Sequence, residues 1–100
     1  MNSISSNKVE GTFFFDPEDK IYRDHFPSNP VVPGCLIIHA FLKAVRMLQL
    51  KHADISINNF RFKKFISPGE YFFTVDAETG HFICRLYENK KTIVSGEITE

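Results

Sequence analysis

Two imidazoles stand fourteen residues apart around a proline-rich segment: His25 opens HFPSNPVVPG, and His39 sits in the apolar run that follows. An imidazole titrates near neutrality, so it can take a proton from carbon or return one to a leaving oxygen with little adjustment of its pKa. Pro27, Pro30 and Pro33 fix φ, restrict the residues before them and withhold backbone donors, which predicts a stiff, irregular loop holding His25 in place. Gly34 permits close backbone approach, and Cys35, Leu36, Ile37 and Ile38 open a helix. The first N–H groups of that helix lack intrahelical acceptors and can face a ligand oxygen, as in an oxyanion hole. Cys35 has two readings, a thiol activated by the helix N-terminus or a small packed side chain.

The order His-Phe-Pro, a short turn, Pro-Val-Val-Pro-Gly and an apolar helix start resembles the signature of the hot-dog-fold β-hydroxyacyl-acyl-carrier-protein dehydratases of fatty-acid synthesis. The resemblance implies that His25 removes the α-proton of a 3-hydroxyacyl thioester. It also implies that a carboxylate on the other subunit's helix protonates the departing hydroxyl, and that the Gly34 and Cys35 amides polarise the thioester carbonyl. The chain departs from the pattern where the carboxylate belongs, because that position is His39, and the next polar position one turn on, usually Gln, is Lys43. Pro33 and Lys43 are placed as site lining. The Gly-Cys-Leu wording is most similar to the branch that also isomerises its product. Relatives carry a helix and a strand ahead of the region where this chain begins, so a lid and part of an acyl tunnel are expected to be absent or supplied by a partner. A second stretch, FRFKKFISPGEYF beginning at Phe60, resembles the family's basic strand ending in a Pro-Gly turn. Within the resemblance, acidic carrier proteins dock near Arg61, Lys63 and Lys64, with Arg46 contributing; the alternative is an ordinary solvated strand face.

The rest of the chain must supply elements that hold these groups. One hundred residues with 43% hydrophobic content, eleven Phe and no Trp suit one globular domain, 1–100, with Met1 to Asn7 expected to fray. A chain of this size buries only about two thirds of its unfolded surface, so a homodimer or heterodimer with another hot-dog subunit is expected. Twelve acidic residues balance twelve basic ones, which argues against a general nucleic-acid or membrane-surface binder. No apolar run approaches the roughly twenty residues of a membrane span, and the N-terminus lacks signal-peptide features, so a cytoplasmic location is expected. Cys35 and Cys84 read as free thiols, and no spacing suggests a metal or a cofactor.

Val9 to Phe15 reads as a strand, ended by a turn at Asp16, Pro17, Glu18 and Asp19, with a short extended piece at Ile21 to Arg23. From Gly34 to about Leu50 apolar residues cover more than half of a helical circumference, which predicts one long, buried central helix whose polar stripe is His39, Lys43 and Arg46. Thereafter the period is two: Ile55 and Ile57, Phe60 and Phe62, then Phe73, Val75 and Ala77, then Phe82, Cys84 and Leu86, then Val94 and Ile98 around Gly96. Lys63 and Lys64 shift the parity and suggest a bulge, and Pro68 with Gly69 makes a turn. His52 and His81 read as surface residues. The layout is α+β, one helix wrapped by an antiparallel sheet, compatible with a hot-dog fold.

The leading expectation is dehydration of a 3-hydroxyacyl thioester, carried on the phosphopantetheine arm of acyl carrier protein, to a trans-2-enoyl thioester. His25 is then the base and His39 the acid or water-orienter. The rival is a non-catalytic subunit that binds acyl carrier protein or pairs with an active dehydratase, supported by the absent carboxylate. A thioesterase is a third and weaker reading, since no carboxylate to assist a water is evident in the helix.

Overall fold

The computed structural model describes residues 3–5, 7–20, 30–48 and 55–100. Among the described residues six strands, β1 (Ser3–Ser5), β2 (Lys8–Phe15), β3 (Ser56–Phe62), β4 (Gly69–Glu78), β5 (His81–Glu88) and β6 (Lys91–Thr99), form one sheet, and one helix, α1 (Gly34–Arg46), crosses it. The order is β1-β2-β4-β5-β6-β3, with every neighbouring pair antiparallel. After β2 the chain passes through α1 and re-enters at the opposite edge as β3. It then returns as β4 beside β2 and meanders through β5 to β6.

The β4–β5 and β5–β6 hairpins are closed by residues that tolerate left-handed backbone. Gly80 has φ 70° between β4 and β5, while Asn89 and Lys90, at 52° and 66°, form the two-residue turn between β5 and β6. Side-chain alternation decides which face of the sheet is covered. Phe73 and Val75 of β4, Phe82, Cys84 and Leu86 of β5, and Val94 and Ile98 of β6 are buried beneath α1. Against them α1 sets Ile37, Phe41, Ala44 and Val45. Phe41 is fully buried, with ring centroids 5.1 Å from Phe13, 5.9 Å from Phe60 and 6.2 Å from Phe73. These edge-to-face and tilted arrangements suit the ring quadrupoles, and Phe13 stacks on Phe73 at 3.9 Å.

Three expectations differ from the structure. The helix runs for 13 residues and stops at Arg46 instead of continuing to about Leu50. Its end tightens: Met47 N–H donates to Ala44 C=O and Leu48 N–H to Val45 C=O, the three-residue spacing that commonly finishes a helix. The bulge of β3 lies between Asn58 and Arg61, not at Lys63–Lys64, which follow the strand. Asn59 absorbs the extra residue at φ 55°, a conformation Asn tolerates better than most side chains. Within the stretch 1–7, expected to fray, Ser3–Ser5 pairs in register with β2. The expected extended piece at Ile21 to Arg23 and His52 lie outside the described residues.

Gly96 is where the bulge meets the core. A Cβ there would overlap the Phe60 ring, with Cδ1 at 2.6 Å, so the missing side chain is what lets Phe60 lie flat over β6 and reach Phe41.

Candidate functional site

The head of α1 is capped by Pro33 in extended conformation (φ −61°, ψ 142°), which has no side-chain acceptor to offer. Its carbonyl accepts from Leu36 N–H at 3.0 Å and Ile37 N–H at 3.4 Å. The amides of Gly34 and Cys35 precede the first intrahelical acceptor, and no acidic residue occupies the first turn. Two N–H groups at the positive end of the helix dipole are therefore open to an incoming oxygen.

The loop ahead of them is fixed by a backbone hydrogen bond from Val32 N–H to Ile66 C=O at 2.9 Å, and both side chains are buried. This bond draws the segment after β3 against the head of α1 and encloses a largely apolar cavity of about 390 Å³. Val31, Pro33, Gly34, Phe62 and Phe65 are among its walls, with Lys64 as the charged group. Phe62 lies on Gly34 so closely that a Cβ at position 34 would stand 3.2 Å from ring atom Cζ. Phe65 is 85% exposed, so one wall of the cavity is an aromatic ring open to its surroundings.

The structure gathers some of the sequence-derived candidates and separates others. Pro33 and Gly34 line the cavity. Cys35 is exposed, its thiol is free, and it is not part of the cavity wall. His39, Lys43 and Arg46 continue from Cys35 along the exposed side of α1, opposite the buried Ile37, Phe41 and Ala44. Neither His39 nor Lys43 is part of the cavity wall. His25 lies outside the described residues.

The four basic residues assigned to carrier docking occupy three places. Lys64 is at the cavity, where its ammonium donates to Glu88 Oε1 at 2.5 Å; that hydrogen bond, with the attraction of the carboxylate, holds its pKa above the ordinary lysine value. Arg46 is at the far end of α1, about 18 Å from Gly34 by helical rise. Arg61 and Lys63 face the other side of the sheet, in a groove of about 520 Å³ shared with Arg85. Missed by sequence reasoning were the cavity walls Phe62 and Phe65 and the third cation, Arg85. The alternation Arg61, Phe62, Lys63 already assigned Phe62 and the two cations to opposite faces.

The second thiol, Cys84, is fully buried under α1, and burial pushes its pKa up to about 12. Among the described residues there is no cluster of three or more His, Cys, Asp or Glu that could hold a metal ion, and no helix long and apolar enough to cross a membrane.

A family model described as ApeI-like, ApeI dehydratase, matches residues 2–97. The 3-hydroxyacyl-(acyl-carrier-protein) dehydratase FabZ of Lactococcus lactis subsp. lactis is 28% identical over 78 residues, covering 70% of this chain and 52% of its own length. The FabZ of Lactiplantibacillus plantarum is 35% identical over 60 residues, covering 52% of this chain and 41% of its own. The chain thus spans about half the length of the curated relatives it matches. Among solved structures, the dehydratase heterocomplex ApeI:P from Xenorhabdus doucetiae superposes with a TM-score of 0.81 at 20% identity, over 95% of this chain and 88% of that one. An uncharacterized protein from Erwinia carotovora subsp. atroseptica gives 0.70 at 21% identity, over 98% and 87%. At these identities the likeness establishes the fold, a hot-dog-like antiparallel sheet with one helix.

Proposed function

The chain belongs to the ApeI-like dehydratase family, and from that premise we propose that it serves in dehydrating a 3-hydroxyacyl thioester to the trans-2-enoyl thioester. The observation that carries this reading is the pair of open amides, Gly34 and Cys35, at the head of α1 beside an apolar cavity. A thioester oxygen accepting from both amides gains negative charge as the α-proton leaves, and fixed N–H donors stabilise that charge without reorganisation. The imidazole of His25 takes the α-proton. The carbon–carbon double bond forms as the β C–O bond breaks, and the hydroxyl collects a proton and departs as water. The apolar walls Phe62 and Phe65 hold the acyl chain and exclude bulk water.

The proton for the hydroxyl comes from His39 in the simplest arrangement, donated across a subunit boundary. A specific observation favours a second arrangement: α1 contains no Asp or Glu, and His39 stands exposed away from the cavity wall. In that arrangement this chain contributes the base and the amides, and a different hot-dog subunit contributes a carboxylate, or is itself the active dehydratase. The similarity to a subunit of a dehydratase heterocomplex supports this arrangement. The substrate is carried by acyl carrier protein on its phosphopantetheine arm, in fatty-acid or polyketide-type synthesis; Lys64 is the charged group in the cavity wall.

Incubation of 3-hydroxyacyl-carrier-protein with the wild type, His25→Ala and His39→Glu, read by mass spectrometry, tests the proposal. Loss of water with the wild type and none with His25→Ala is expected if His39 suffices as acid. An inert wild type that gains activity in His39→Glu, or on addition of a carboxylate-bearing partner, identifies the two-subunit arrangement. Absence of enoyl product in every case refutes the reading.

A further inference from the structure

Three cations gather on the face of the sheet turned away from α1, in the groove that Arg61, Lys63 and Arg85 share. In the register of the sheet Arg61 of β3 pairs with Ser95 of β6, and Ser95 pairs with Arg85 of β5. The two arginines therefore flank one serine, with their Cα atoms two strand spacings apart, about 10 Å. Ser95 lines the same groove, so both guanidinium groups have room to lean inwards over its hydroxyl. Side-chain alternation places Lys63 on the face of Arg61, and its N–H, donating to Ile93 C=O at 2.8 Å, holds it alongside β6.

Nearby carboxylates leave this cluster under-neutralised. Glu97 is the one carboxylate in the groove lining, and its Oε1 is engaged by His81 Nδ1 at 2.7 Å. Asp76 stands 3.7 Å from Arg85, an ion-pair distance too long for a hydrogen bond. Arg61 and Lys63 have no carboxylate at ion-pair distance among the described residues. Like charges gathered across strands weaken a sheet, and an anion seated between them would reverse that cost.

The kind of anion follows from the donors. A planar carboxylate satisfies one guanidinium fork with its two oxygens, whereas a tetrahedral phosphate has oxygens for a fork on either side and for a hydroxyl beneath. A phosphomonoester also carries about 1.5–2 negative charges near pH 7. The groove, about 520 Å³, is larger than a phosphate, and Asn59 and Thr92 extend its polar wall, which suits a hydroxylated group attached to the phosphate.

We propose that Arg61, Lys63 and Arg85, with the Ser95 hydroxyl, form a binding site for the phosphomonoester of a small polar molecule. The site lies on the other side of the sheet from the cavity at the head of α1 and does not rest on the dehydratase reading.

The test follows backbone amide NMR shifts of the full chain as inorganic phosphate, glucose 6-phosphate or acetate is added at constant ionic strength. The variants are R61Q/R85Q, S95A and K90Q/K91Q, the last removing two cations outside the groove; circular dichroism confirms the fold of each. Saturating shifts at Arg61, Arg85 and Ser95 are expected with both phosphates and not with acetate. Binding is expected to weaken at least tenfold in R61Q/R85Q and about threefold in S95A, and to be unchanged in K90Q/K91Q. Sedimentation with phosphatidic acid vesicles, against phosphatidylcholine vesicles, separates the sources of the phosphate: tight binding of glucose 6-phosphate without pelleting supports a soluble ligand, and pelleting lost in R61Q/R85Q supports a lipid headgroup. Phosphate shifts no larger than those of acetate, or R61Q/R85Q binding as tightly as the wild type, overturns the proposal.

Discussion

Gly96→Ala places one methyl group where the Phe60 ring already lies. The new Cβ would sit 2.6 Å from Cδ1 and closer still to Cγ and Cδ2, against an ordinary carbon–carbon contact of about 3.5–4 Å. The ring must therefore retreat by about 1 Å from β6, which disturbs its contact with Phe41, whose centroid is 5.9 Å off. Overpacking of this kind costs about 1–3 kcal/mol. At about 2 kcal/mol the thermal midpoint of a chain this size falls by roughly 8–16 °C. Urea titration followed by far-UV circular dichroism reads the loss directly, with the slope of the transition expected to stay constant. The assignment to Phe60 is checked by a cycle: removing the ring in Phe60→Ala should make the second change, Gly96→Ala, nearly free, a coupling of about 1–2 kcal/mol. If Gly96→Ala alone is within about 0.5 kcal/mol of the wild type, or if the two changes add, the packing argument for the bulge is wrong.

Phe41→Ala should cost about 3–5 kcal/mol, because a fully buried ring meeting three aromatic neighbours leaves a cavity that the sheet cannot close; equilibrium urea unfolding measures it. A thiol reagent at mildly alkaline pH should titrate one cysteine in the native protein, Cys35, and two after denaturation. For Cys84 the folded pKa is raised, so between its unfolded value and about 12 the native state holds the extra proton. Stability should therefore decline as pH rises through that window and be unaffected by this group below it, as urea midpoints at several alkaline pH values will show. Lys64 has the same sign, since its folded pKa is raised too: what it contributes is present at neutral pH and is lost as pH rises from its ordinary value through the folded one. In Glu88→Gln its NMR titration should move down towards that of an ordinary lysine, without a measurable change in the urea midpoint.

The period-two strands and the head of the helix were legible because each rests on local chemistry. Phe73 and Val75 alternate with polar neighbours, and Pro33 followed by Gly34 can only stop or start a helix. The helix end was misjudged because Met47 and Leu48 are good helix formers and no Gly or Pro follows them, so its end is set by hydrogen-bond geometry and not by residue type. The bulge was misplaced because the double lysine drew the argument. The step from Ile57 to Phe60 already changes the parity of the apolar positions, and Asn58–Asn59 supplies a residue able to take positive φ. The walls of the cavity were not legible. Phe62 and Phe65 are 28 and 31 residues from Gly34 in the chain, and only the crossover through α1 brings them together. Lys64 parts from Arg61 and Lys63 because the chain leaves the ladder there, an event that periodicity does not record.

The close seat of Phe62 on Gly34 joins two surfaces that are usually free to change separately. One face of that phenyl ring closes the cavity beside the open amides, while its own backbone lies on the unpaired edge of the sheet. A side chain at position 34 would evict the ring, and a smaller residue at position 62 would release position 34 from having to be glycine. Among relatives that keep this geometry, the two positions should therefore drift as a pair. A lineage that reshapes this cavity through residue 62 would alter, with the same substitution, the edge strand of its sheet.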